Sequence, residues 1–176
     1  MANVVVGVDG SHTSKTALEW AARYARMSRN KLVVVRVHEP VGDPSAATLG
    51  SALAYSPTLS SSEQGHTLTT LARERAHTAQ QGAQERIGQQ LRRMLREADV
   101  SGVEIETAVI ADRRPSRVLE DYSRYAELLV VGSRGMGGVK GMLLGSVSQH
   151  VTQHSACPVV VIPAPSRTRR HVRHRS

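Results

Sequence analysis

Several stretches of this 176-residue chain are apolar at almost every position, and none of them alternates. They are residues 3–9, built on Val4, Val5, Val6 and Val8; 32–38; 127–132, built on Leu128, Leu129, Val130 and Val131; and 158–162. A strand with one face in water alternates apolar and polar residues; a run without alternation needs apolar cover on both faces. Between the runs the period changes to that of a helix. Ala17, Leu18, Ala21, Ala22 and Ala25 make one stripe, with Ser11 or Ser14 available as its cap. A longer stripe begins at Leu68 and Leu71, continues through Ala72, Ala76, Ala79, Ala83, Ile87 and Leu91, and ends at Met94, Leu95 and Ala98. Ser101 and Gly102 stop it. Residues 103–110 alternate at first and predict a strand nearer the sheet edge. Pro115 opens a short helix carrying Val118, Leu119 and Tyr122, and a last helix is expected over about 146–155.

Strands alternating with helices predict an α/β fold with one parallel sheet. The expectation is a single doubly wound, Rossmann-like open sheet of five strands in order 3-2-1-4-5, with helices on both faces. Such sheets bind ligands beyond the carboxyl ends of their strands, where the winding reverses. That switch falls between the first and fourth strands and brings Asp9 and Gly10 to Gly132. Residues 39–63 exceed an ordinary connection and are rich in Ser, Pro and Gly, so they are expected to be poorly ordered.

Composition narrows the chemistry. Aromatic residues are 3% of the chain and Phe is absent, so the core must be Val, Leu, Ile and Ala. Cys157 stands alone, which excludes an internal disulfide or a cysteine-cluster metal site. No apolar run approaches the roughly 18 residues of a membrane span. The start lacks a basic region and meets Asp9 early, unlike a secretory leader, so a cytoplasmic protein is expected. The net charge of +8 is concentrated in a tail with five arginines after Ser166; without them the body carries +3. Residues 164–176 are therefore expected to be a disordered basic tail, whose other reading is an arm for polyanions.

Residues 132–146 are the most informative. Six of the 14 glycines fall between Gly132 and Gly145, and from Leu128 onward there is no Asp or Glu. Glycine-rich turns let backbone amides approach an anion, and this one runs into a helix start, where amides are free. Ser146 and Gln149 have capping-box spacing. No window supplies a Walker A loop, and Gly135 and Gly137 are followed by Lys140, which breaks a dinucleotide fingerprint. The bland alternatives are a flexible connection for the loop, a helix-entry cap for Asp9, solvated side chains for Arg134 and Lys140, incidental histidines at His12 and His38, and a packed small residue for Cys157.

The pattern Gly-x2-Gly-x9-Gly-Ser, with Gly132, Gly135, Gly145 and Ser146 in register, resembles the ATP-binding branch of the universal stress protein family. Residues 4–11, 126–138, 143–148 and 154–162 extend the likeness, so that 1–163 resembles one nucleotide-binding domain. One departure is that Arg113 and Arg114 precede Pro115 where the family usually has glycine before the proline. The resemblance implies that Gly7, Asp9 and Gly10 line the adenosine end and that Val37 meets the adenine edge through its backbone. It implies that Gly132, Ser133 and Gly135 let the loop approach the ribose and phosphates, with Arg134 and Gly138 nearby. Gly145, Ser146, Val147 and Ser148 would hold the phosphates of ATP, with Mg2+ riding on the phosphates and no protein metal site. It further implies a homodimer through the last strand, Val159–Ile162, and a regulatory switch without a catalytic residue. Slow ATP hydrolysis and polyanion binding by the tail are the alternatives.

Overall fold

The computed structural model describes residues 2–41, 63–137 and 143–164. Gly138, Lys140, most of the 39–63 connection and nearly all of the basic tail lie outside the described residues. The chain runs β1 (Asn3–Val8), α1 (His12–Ser28), β2 (Lys31–His38), α2 (Glu63–Glu97), β3 (Ile105–Ala111), α3 (Pro115–Ser123), β4 (Leu128–Gly132), α4 (Ser146–His154) and β5 (Val159–Ile162). All strand pairs are parallel, and the sheet order is β3-β2-β1-β4-β5. The winding thus reverses between β1 and β4, as expected.

The apolar runs are buried on both faces. Val4, Val6, Val8, Leu32, Val34 and Val130 join Ala17, Leu18, Ala21 and Ala25 of α1 and Leu91 of α2 in one core. Val5, Val33, Val35, Leu129 and Val131 face the other way, against Leu119 of α3 and Val151 of α4. Small alanines on α1 let that helix sit close to a sheet of valines, which explains how a core with almost no aromatic residues closes.

Local signals set the ends. Ser11 caps α1, its side chain accepting the Ser14 amide at 3.2 Å, and Arg29 in the left-handed region ends it. The α2 helix starts at Glu63, five residues before its apolar stripe. At Gly102 the chain takes φ of +69°, so β3 begins only at Ile105. The two edges of the sheet differ. Beside β3, Lys31 bridges Glu104 at 3.2 Å and Glu106 at 2.8 Å, whereas β5 is entirely Val and Ile.

Candidate functional site

Two turns at the carboxyl ends of β1 and β4 are held together by one carboxylate. Asp9 Oδ1 accepts the Ser11 amide at 2.9 Å and Oδ2 accepts the Met136 amide at 2.7 Å, across 127 residues of sequence. Burial would push the Asp9 carboxyl up, but hydrogen bonds from Ser11, Met136 and Ser14 outweigh it and hold it below its ordinary value. A Cβ on Gly135 would collide with Asp9 Oδ2, so this crossing requires glycine. Gly10 turns the chain there with φ of +91°.

Ser133 is a second knot. Its amide donates to Ile162 O at 2.7 Å, and its carbonyl accepts the Gly145 amide at 2.7 Å and the Ser148 hydroxyl at 2.9 Å. Its Oγ accepts the Ala164 amide at 3.0 Å. One buried serine therefore joins the ends of β4 and β5 to the start of α4. The capping box expected from Ser146 and Gln149 does not form, because Gly145 takes the cap position and Ser146 becomes the first helical residue. Gly145 provides no side-chain acceptor, so the first-turn amides of Ser146, Val147 and Ser148 have no intrahelical carbonyl to meet. Gly145's own amide and Ser148's hydroxyl, by contrast, are already engaged within the protein.

Between these knots lies a cleft of about 410 Å³. Gly7, Val8, Val35, Val37, Val131 and Gly132 form its floor, and Pro115 and Leu119 one wall. Arg134, Gly135, Met136 and Gly137 of the loop, Leu144, Gly145, Ser146, Val147 and Ser148 at the start of α4, and Asp9 and Ser14 complete its lining. The expected residues Gly7, Asp9, Val37, Gly132, Arg134, Gly135, Gly145, Ser146, Val147 and Ser148 are thus brought together. Gly10 and Ser133 are not on its lining; they shape the turns behind it. The sequence reading passed over Pro115, Leu119 and Met136. The rule that ligands sit beyond strand ends would have pointed to the first of these, which opens the helix after β3.

Among the described residues, Asp9 is the one acid lining the cleft, while Arg134 Nε is buried without a hydrogen-bond partner. An orphaned guanidinium nitrogen in a cleft that also holds free helix amides suits an anionic ligand. No group of three or more His, Cys, Asp or Glu side chains fit to hold a metal occurs among the described residues. Nor is any described helix long and apolar enough to cross a membrane.

Comparison with known proteins agrees with this architecture. Universal stress protein Rv1996 of Mycobacterium tuberculosis is 36% identical over 168 residues, covering 95% of this chain and 50% of the relative, so the chain spans half of that protein's length. Universal stress protein YxiE of Bacillus subtilis is 30% identical over 162 residues, 90% of this chain and 97% of the relative. A universal stress protein solved in complex with cAMP superposes with a TM-score of 0.51 at 26% identity, covering 92% of this chain and 96% of that one. The model of the universal stress protein family matches residues 1–163, and this chain belongs to that family.

Proposed function

We propose that the chain is a cytoplasmic regulatory protein that binds ATP in the β1–β4 cleft and changes its partner affinity with nucleotide occupancy. The observation that carries this reading is the buried, unpartnered Nε of Arg134 on the wall of a cleft closed by the open amides of α4. Those groups fit a polyphosphate. The amides of Ser146, Val147 and Ser148 would donate to its oxygens, and the Val37 backbone would meet the base. Mg2+ would ride on the phosphates and neutralise them. The complex of a related stress protein with cAMP supports an adenine nucleotide as the ligand class.

Regulation is favoured over phosphoryl transfer because Asp9, the acid on the lining, already spends both oxygens on amides. A base or metal clamp needs a carboxylate free to engage water or metal. The same reading includes a homodimer through β5, whose outer edge is apolar and pairs with no other described strand.

Calorimetric titration of nucleotide-free protein with Mg-ATP tests the reading, alongside a Gly145→Glu variant. A Cβ at Gly145 meets its nearest neighbours at an ordinary 3.6 Å, so the variant should fold. Its carboxylate would stand at the phosphate end. Wild-type binding that weakens at least about tenfold in the variant is expected, since ion repulsion and bulk each cost about 1 kcal/mol or more there. Folded wild-type protein that takes up no nucleotide overturns the proposal.

A further inference from the structure

Two helices that border the cleft are fastened to each other by side chains. Leu119 of α3 and Ser148 of α4 belong to its lining. Glu120 follows Leu119, His150 stands two residues past Ser148, and His150 Nε2 lies 2.8 Å from Glu120 Oε2. Farther along both helices, Ser123 Oγ accepts the Ala156 amide at 2.9 Å. Of these two fastenings, the one beside the cleft can change its charge near neutral pH.

A carboxylate only accepts, so His150 Nε2 carries hydrogen and the neutral ring keeps its lone pair on Nδ1. A further proton enters at Nδ1 without breaking the bridge and turns it into an ion pair. The His150 and Glu120 side chains are 22% and 13% exposed, so water screens that pair only in part. The hydrogen bond from His150 and, after it, the charge of Arg117 at 3.2 Å outweigh burial and hold the Glu120 carboxyl below its ordinary value. Glu120 is therefore ionised wherever an imidazole titrates.

The other groups around the bridge leave the proton to His150. His154 stacks on it with ring centres 4.3 Å apart, its Nδ1 2.9 Å from the His150 carbonyl. Two charged rings in one stack repel, and Glu120 meets His150, so the first proton settles there. Asp121 and Arg124 of α3 pair with each other at 3.7 Å. Beneath both helices the sheet presents Val5, Val33, Val35, Leu129 and Val131, with Tyr122 and Cys157 at the margin of that core.

His150 also lies near the phosphate end of the cleft. It is four residues past Ser146, about 6 Å along the helix, and helical side chains lean back towards the helix start. A polyphosphate on the amides of Ser146, Val147 and Ser148 would then be roughly 10 Å from the imidazole. Its charge favours the imidazolium, and by reciprocity the imidazolium favours the bound anion.

We propose, on the nucleotide reading above, that His150, braced by Glu120, is a positioning residue that couples nucleotide affinity to pH. A proton gained on His150 adds a cation behind the phosphate end and tightens the tie between α4 and the helix that carries Leu119. A net charge of −2, as on Mg-ATP, acting across about 10 Å of water amounts to about a fourfold gain in affinity.

Calorimetric titration with Mg-ATP at pH 5.5 and pH 8 tests the coupling in the wild type and in His150→Gln. The glutamine amide can still donate to Glu120 but takes up no proton. Ionisation of the nucleotide is common to both proteins and cancels in the comparison. At pH 8 the two should bind alike, and at pH 5.5 the wild type should bind about three- to fourfold more tightly. Should His150→Gln fail to fold, His150→Lys takes its place; it should match the wild type at pH 5.5 and bind more tightly at pH 8. A variant that differs from the wild type by the same factor at both pH values, or by none, overturns the coupling and leaves the nucleotide reading standing. Folded wild-type protein that takes up no Mg-ATP at either pH overturns both.

Discussion

Asp9 occupies the position where a single charge matters most, because its carboxylate is the clasp between the β1 turn and the glycine-rich loop. Asp9→Asn would keep one acceptor and turn an N–H towards the other amide, at a cost of about 1–3 kcal/mol. The sign of the pH effect follows from the lowered carboxyl. Its stabilisation is complete above the ordinary value of 3.8 and is lost as pH falls through the lower folded value. In urea unfolding from pH 6 to pH 2, the gap between wild type and Asp9→Asn should stay constant until about pH 4 and then close. A gap undiminished between pH 4 and pH 2 would mean that the charge is not its source. Arg134 marks the opposite case at this scale. It was singled out from its place in the loop, yet nothing in the sequence shows that its Nε is enclosed and unpaired.

Among the elements, α2 is the least evenly anchored. Leu91 is buried, and Met94, Leu95 and Ala98 rest on the core, whereas Leu71 is 46% exposed. Amide exchange should be slowest near residues 91–97 and quicken towards 74, through a stretch where Ala83 is the one fully buried apolar residue among those described. Uniform protection along the helix would contradict this. The stripe at 68–98 made the helix legible. It could not show that Ala79 would be exposed, because alanine at helical spacing suits solvent and core equally well. The valine strands were read more surely, since a run without alternation has few other stable fates. The start of α4 was read at Ser146, where it lies, but its cap was misread. Ser146 and Gln149 have the capping-box spacing, but the Gly145 amide is drawn to Ser133, and that long-range bond moves the cap back by one residue. Glu120 and His150 escaped notice for a related reason. The pattern gives their helices, and only packing reveals that the two side chains meet.

At the scale of the molecule, the topology and the switch point were legible because right-handed βαβ units leave few ways to order five parallel strands. The clasp at Met136 and the knot at Ser133 were not, since each joins segments whose separation in sequence carries no signal. The proposed pairing of β5 with its counterpart belongs here as well. Sedimentation at micromolar concentration should give a species of twice the chain mass, and a species of single chain mass would rule the pairing out. The unlike edges of the sheet have a further consequence for how such a molecule grows. Beside β3, Glu104 and Glu106 bring carboxylates to the rim, so a neighbour arriving there meets charge, whereas β5 offers bare valine. On the proposed pairing, the chain would be monofunctional in a polymer chemist's terms. Once two valine edges had met, only the charged rims beside β3 would remain outside, and propagation would stop at a pair instead of running on into a fibre.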